Sequence, residues 1–225
     1  MNQSSQLNSH KEPWYFSNQI AVSSLSGCGR TTLLDNFKKH FAASCYRYVS
    51  AGETMRTIAS GRGLSIEQHA ANLCDNPNQG IDEGLDQCVA DFGRQNYVIG
   101  EGRLLHITFP RAFKVRLVCD IDICAMRRSG QECGDEFEAV KAALIERNKN
   151  DCLRYDSIYG RAWNWPDLAF DCVLDTGSIG KDDMVQTILK LHRDWCSRLD
   201  LVDRIFHDIC HPTYRLDMNR LRIGN

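Results

Sequence analysis

No apolar run in this chain of 225 residues approaches the ~18 residues of a membrane span. Its opening stretch, MNQSSQLNSHKEPWYFSNQ, also lacks the apolar segment of a secretory signal. Both absences point to a cytoplasmic protein that engages no membrane. Charge of one sign is missing too. Lys and Arg number 27 and Asp and Glu 29, for a net charge of −2 that gives no reason to expect a nucleic acid as partner. Any bound phosphate has to be met by locally placed basic residues. There is no internal repeat and no low-complexity tract. Cysteine is not scarce, at eleven residues, but the number is odd and no Cys-x-x-Cys pair occurs. This argues against a disulfide framework or a paired zinc site. Thiols set in apolar runs, such as Cys119 in VRLVCDI and Cys172 in FDCVLDT, read as buried, reduced small hydrophobes. HDICH (His207, Cys210, His211) has ligand-like spacing but no second half, and reads as helix-end polar residues.

What is present is a regular alternation. Five β-branched runs (19–24, 46–50, 97–102, 113–120 and 170–176) are mostly continuous in apolar character, as suits strands covered on both faces. Between them, Leu33, Leu34, Phe37 and Phe41 share one helical face over 31–41. Phe137, Val140 and Leu144 do so in 135–155, and Met184, Ile188, Leu191 and Trp195 in 181–195. Strands alternating with amphipathic helices predict an α/β fold with a parallel, doubly wound sheet. The expected organisation is a loose polar arm (1–18), one domain (19–195) and a helical extension (196–225). A second stripe in the extension (Leu199, Val202, Phe206, Ile209) either packs back on a monomer or forms a dimer contact.

The first strand feeds SSLSGCGRTT (23–32), close to the Gly-x-x-x-x-Gly-Lys-Ser/Thr phosphate loop but with Ser24 at the first glycine and Arg30 at the lysine. Its context is what such chemistry requires: an apolar strand, small residues, then a helix whose first N–H groups and dipole favour an anion. Gly27 and Gly29 let the backbone curl around a phosphate, and Thr31 sits where the motif's hydroxyl would ligate Mg²⁺. Arg30 keeps the charge in a longer, planar form, so the exchange for lysine is not conservative. An ordinary glycine turn would look similar, and the loop alone decides nothing.

Further along, SAGETMR (50–56) follows the second strand, and YVIGEGR ends the third with Gly102 and Arg103. In open α/β sheets ligands bind beyond the carboxyl ends of the strands, which places Arg103 to meet an anion. Asp82 and Asp86 are four residues apart on one helix face, which by itself reads as a solvated acidic face. Arg147, Asp151 and Arg154 also share a helix face, as an ion-pair ladder or as a cationic cover to which Arg127 and Arg128 could add.

The ordered set resembles the cytidylate kinase-like branch of the nucleoside monophosphate kinases, within the P-loop superfamily. The residues that carry the likeness are the loop, Ser50-Ala51-Gly52 with Arg56, and Ile81-Asp82 with Leu85-Asp86. Glu101-Gly102-Arg103, Arg127, Arg147, Arg154-Tyr155 with Ile158-Tyr159-Gly160 and the closing FDCVLDTG continue it, over about residues 19–193. The resemblance implies a three-layer P-loop kinase fold with a five-stranded parallel sheet, a monophosphate-binding segment (roughly 51–93) and a lid (roughly 127–160). It implies phosphoryl transfer from ATP, with Mg²⁺, to a small-molecule nucleotide, CMP or dCMP. By position, Ser26, Gly27, Cys28, Gly29, Arg30, Thr31, Thr32 and Arg127 would hold the donor, with Thr31 on the metal. Ser50, Gly52, Arg56, Asp82, Asp86, Gly102 and Arg103 would hold the acceptor, and Arg30, Arg103, Arg147 and Arg154 would serve the transfer itself. The alternative is a nucleotide-binding protein whose kinase activity is weakened or lost and which acts as an interaction module through its tail.

Overall fold

The structure is a computed structural model. It describes residues 19–44, 46–65, 68, 69, 72, 81–95, 97–130, 133–160 and 169–198, without the side chains of 81–83 and 198. The arm 1–18, the stripe from Leu199 to Ile209, His207, Cys210 and His211 lie outside the described residues, as does the Asp82 side chain.

Five strands, β1 (Gln19–Ser24), β2 (Arg47–Ser50), β3 (Val98–Gly102), β4 (Phe113–Val118) and β5 (Cys172–Asp175), form one sheet in the order β2-β3-β1-β4-β5. All pairings are parallel, with Ala21 opposite Gly100 on one side and Lys114 on the other. Every residue of β1 and β3 is buried, while the edge strands β2 and β5 are only partly covered. That is why the central runs read as continuous and apolar: helices cover both of their faces.

One layer is made by α1 (Arg30–His40), α5 (Ile121–Ser129), α6 (Asp135–Tyr159) and α7 (Asp183–Arg198). It packs Leu33, Phe37, Leu144, Ile188 and Trp195 against Ile20, Val22, Phe113 and Val115. The other layer contains α3 (Ile81–Phe92) and α4 (Leu105–Thr108), which set Leu85, Val89 and Leu105 on Ala21, Val49 and Val98. Between β2 and α3 runs α2 (Ala51–Gly61), capped by Ser50, whose hydroxyl accepts from the Glu53 N–H at 3.0 Å. The expected parallel three-layer fold is the one found.

Some details differ from the sequence reading. The helix α5 went unread because its apolar positions are few and short-spaced, and α6 runs on to Tyr159, past the apolar stripe that ends near Leu144. All eight described cysteines are free, but only Cys28 and Cys124 are buried. Cys172 opens an edge strand and Cys119 follows the last residue of β4, so both keep some exposure despite apolar neighbours. Among the described residues no helix is long and apolar enough to cross a membrane.

Candidate functional site

From β1 at the centre, the chain crosses to β2 on one flank and later to β4 on the other, which opens a crevice beyond the ends of β1 and β3. The loop after β1 enters this crevice from one wall. Gly27 and Gly29 have φ of +95° and +85°, a region open mainly to glycine. Gly29 is the N-cap of α1 and no described side chain caps the helix, which leaves its first N–H groups as donors for an anion. The loop is held from outside: the Ser26 N–H donates to Asn148 Oδ1 at 2.9 Å, and the Arg103 guanidinium donates to Ser26 Oγ at 2.6 Å.

An open cleft of ≈ 670 Å³, its mouth included, lies beside the loop. Arg30 and Thr31 line one wall, and Arg56, Arg103, Arg147 and Arg154 line the rest, together with Gly52, Asp86 and Gly102. Five arginines from four segments therefore converge on one space. A side chain at Gly102 would intrude on Leu105 and Ala51, with a Cβ 2.3 and 2.9 Å from them.

Two acidic residues organise the cations. Glu101, 2% exposed, receives the Ser50 hydroxyl on one oxygen and pairs with Arg30 Nε at 3.4 Å through the other. Arg30 Nη1 is buried with no partner among the described residues, a donor left over for an anion. Burial pulls the Arg30 guanidinium below its ordinary pKa and Glu101 raises it again, which keeps the cation in place. On the far wall Asp151, 3% exposed, pairs with Arg103 and, at 3.0 Å, with Arg154. On the helix face of Arg147, Asp151 and Arg154, an ion pair therefore does form: Asp151 ties Arg154 to the arginine that follows β3.

Asp86 is buried, not part of a solvated face, and its carboxylate accepts the Tyr159 hydroxyl. Tyr159 stacks on Tyr155 at 6.1 Å, and Tyr155 lies under the Arg154 guanidinium at 5.0 Å. Arg127 does not line this cleft. From α5 it donates to the Thr176 carbonyl at 2.6 Å and to Thr176 Oγ1 at 3.3 Å, beyond the ends of β4 and β5. Thr32 is exposed in the first turn of α1.

Sequence reasoning gave no role to Glu101, Asn148 or Tyr159. Glu101 was legible as part of Glu-Gly-Arg at a strand end, where a buried carboxylate needs a cation. Nothing in the spacing signals Asn148, which meets the loop across 122 residues.

No protein-family model matches the chain. It is similar to the cytidylate kinase of Methanopyrus kandleri, 30% identical over 176 residues, which cover 73% of this chain and 87% of that protein. The cytidylate kinase of Pyrococcus abyssi is 32% identical over 159 residues, covering 70% and 83% respectively. Among solved structures, an uncharacterized protein from Eubacterium ventriosum covers 79% of this chain and 99% of its own, with a TM-score of 0.51. At 19% identity that likeness speaks for the fold alone. The helix-covered parallel sheet, the loop before α1 and the curated relatives agree: the chain belongs to the cytidylate kinase family.

Proposed function

We propose that the protein is a nucleoside monophosphate kinase that transfers the γ-phosphoryl group of ATP to CMP or dCMP. The observation that carries this reading is the cleft with two cationic walls. One has the first helix N–H groups, Arg30 and Thr31; the other has Arg56, Arg103, Arg147 and Arg154. A protein that only bound one nucleotide would need one wall. The names of the curated relatives support the acceptor base.

In this reading the backbone of Ser26, Gly27, Cys28, Gly29, Thr31 and Thr32 cradles the donor's phosphates. Arg127 lies toward the rest of that nucleotide. Arg56 and Arg103 grip the acceptor's phosphate, with Ser50, Gly52, Gly102 and Asp86 shaping its seat and Asp82 at the same helix end. An acceptor phosphate oxygen forms a bond to the γ-phosphorus as the bond to the β–γ bridging oxygen breaks, and ADP departs. Arg30, Arg147 and Arg154 face the charge spread over the transferred group. Such chemistry rests on positioning and charge neutralisation more than on covalent steps.

The residues fit a magnesium ion. The exposed Thr31 hydroxyl is a hard oxygen donor on the loop wall, and Mg²⁺ typically takes one or two protein ligands beside phosphates and water. Bound there, the ion would supply charge neutralisation to the donor's phosphates.

Isothermal titration with CMP and with a non-hydrolysable ATP analogue tests the reading. Two independent sites are expected, and the absence of a separate monophosphate site would sink it. A second reading, binding with lapsed catalysis, draws on Arg30, which stands for lysine and already engages Glu101. A coupled assay over the common monophosphates separates the two. Silence in wild type together with activity in Arg30→Lys favours the second.

A further inference from the structure

Ser26 ties the phosphate loop to α6 twice over. Its N–H donates to Asn148 Oδ1 at 2.9 Å, and its Oγ accepts from Arg103 Nη2 at 2.6 Å. Arg103 Nη2 in turn pairs with Asp151, three residues beyond Asn148 on the same helix. One tether is direct and the other passes through Arg103. Ser26 and Asp151 are both buried.

The helix face shows why a polar residue at 148 matters. Leu144, Asn148, Asp151 and Tyr155 follow at intervals of four, three and four, on one side of α6. Leu144, Asp151 and Tyr155 are buried, and a Cβ on Gly27 would lie 3.6 Å from Leu144 Cδ1. This side therefore faces the loop. An aliphatic residue at 148 would suit such a face but would leave the Ser26 N–H without its acceptor. The carboxamide supplies one.

The two tethers differ in what can break them. Arg103 Nη2 carries two hydrogens, and Ser26 Oγ and the Asp151 carboxylate take them. Arg103 Nε is buried with no partner among the described residues. A phosphate gripped by the fork of Nε and Nη2 displaces one of the two acceptors on Nη2. The neutral hydroxyl is the weaker acceptor, so Ser26 is the one released. The Asn148 tether involves no cation and survives the exchange.

We propose that Asn148 is a positioning residue, which holds the phosphate loop in place when an acceptor phosphate draws Arg103 away from Ser26. The tether rests on the contacts above; its bearing on nucleotides rests on the two-site reading of the cleft. In the empty protein the two tethers are redundant. With the acceptor bound, Asn148 carries the loop alone, at the stage when the donor's cradle has to keep its shape.

Amide exchange followed by NMR in the ligand-free protein reads the tether without nucleotide. Asn148→Ala should speed exchange at the Ser26 amide by about threefold to tenfold, as for loss of one neutral hydrogen bond. Asn148→Asp keeps an oxygen acceptor and should restore slow exchange. Isothermal titration then measures a non-hydrolysable ATP analogue with and without saturating CMP. CMP should change the wild-type affinity by less than about threefold. Asn148→Ala should match wild type within about threefold without CMP and bind about tenfold more weakly with it. The double variant with Arg103→Ala lacks both tethers and should lose about tenfold with no CMP present, more than the product of the single losses. An unchanged Ser26 amide, or an Asn148→Ala loss that is equal with and without CMP, overturns the proposal. If wild type binds the analogue but not CMP, the acceptor reading fails by itself. Amide exchange and the double variant then still uphold or sink the redundancy of the tethers.

Discussion

The two walls of the cleft hold positive charge by different means. The loop wall is a backbone device: consecutive residues from Ser24 to Thr31, glycine conformations, open helix N–H groups and one guanidinium braced by one carboxylate. The opposite wall is a side-chain lattice. Arg103 comes from the end of β3, Asp151 and Arg154 from α6, Asp86 from α3, and Tyr159 from the last turn of α6. A backbone cradle tolerates changes of side chain, as Ser24 and Cys28 illustrate. A lattice of paired side chains has little such tolerance, because each member satisfies another. Arg30 is the exception on the loop wall: its work is done by a side chain, at the position where the chain departs most from the usual motif.

The largest effect should come from breaking that exception. Arg30→Ala removes the loop's only side-chain cation in the cleft and is expected to lower turnover of CMP by about 10²–10³-fold in a coupled assay. Arg30→Lys should keep or raise the rate, since a compact charge can still reach both Glu101 and the donor's phosphates.

Arg103→Ala sharpens the comparison from the other side. Asp151 keeps Arg154, so the fold should survive, while CMP affinity drops about 10–100-fold, as for loss of a charged hydrogen bond. Affinity for the ATP analogue should change by less than about threefold in the same titrations, although Arg103 also touches Ser26. Equal losses for both ligands would mean that the two walls act as one.

A smaller effect is expected of Tyr159→Phe. The buried Asp86 carboxylate loses a phenol donor without a change of volume, and urea unfolding should report a loss of about 1–2 kcal/mol.

The smallest concerns pH. His69 is buried and, among the described residues, neither ring nitrogen has a hydrogen-bond partner; burial, with Arg62 and Arg154, holds it below the ordinary imidazole pKa. The unfolded chain then binds the extra proton more readily, so stability is lost as pH falls below about 6.5. His69→Phe should raise the melting temperature slightly and flatten its decline between about pH 7.5 and 5.5. An unchanged slope would show that other groups govern the acid response.

Much of the fold was legible because its signals are local. β1 and β3 announce themselves as short buried runs, and the amphipathic stripes of α1 and α7 sit where the core needs them. α5 was not legible, since nine residues offer too few turns for a periodicity. At the site, the arginines that line the cleft were found from their places after strands and along one helix face. Helical spacing alone left Asp86 on a solvated face and only the family resemblance gave it a place at the acceptor; its burial and its Tyr159 partner came from packing. Arg127 was grouped with the cover by its charge; it donates to Thr176 and does not line the cleft.

By itself, the sequence determined the alternation of strands and helices, the loop that curls before α1 and the order of the cationic residues. Those follow from bond geometry and apolar spacing within a few turns of chain. Only the tertiary structure decided which polar groups meet: Glu101 with Arg30 and Ser50, and Asp151 with Arg103 and Arg154. A carboxylate or a thiol has the same letter whether solvated or buried. Its partner, its protonation and its use depend on the dielectric and the neighbours that packing supplies.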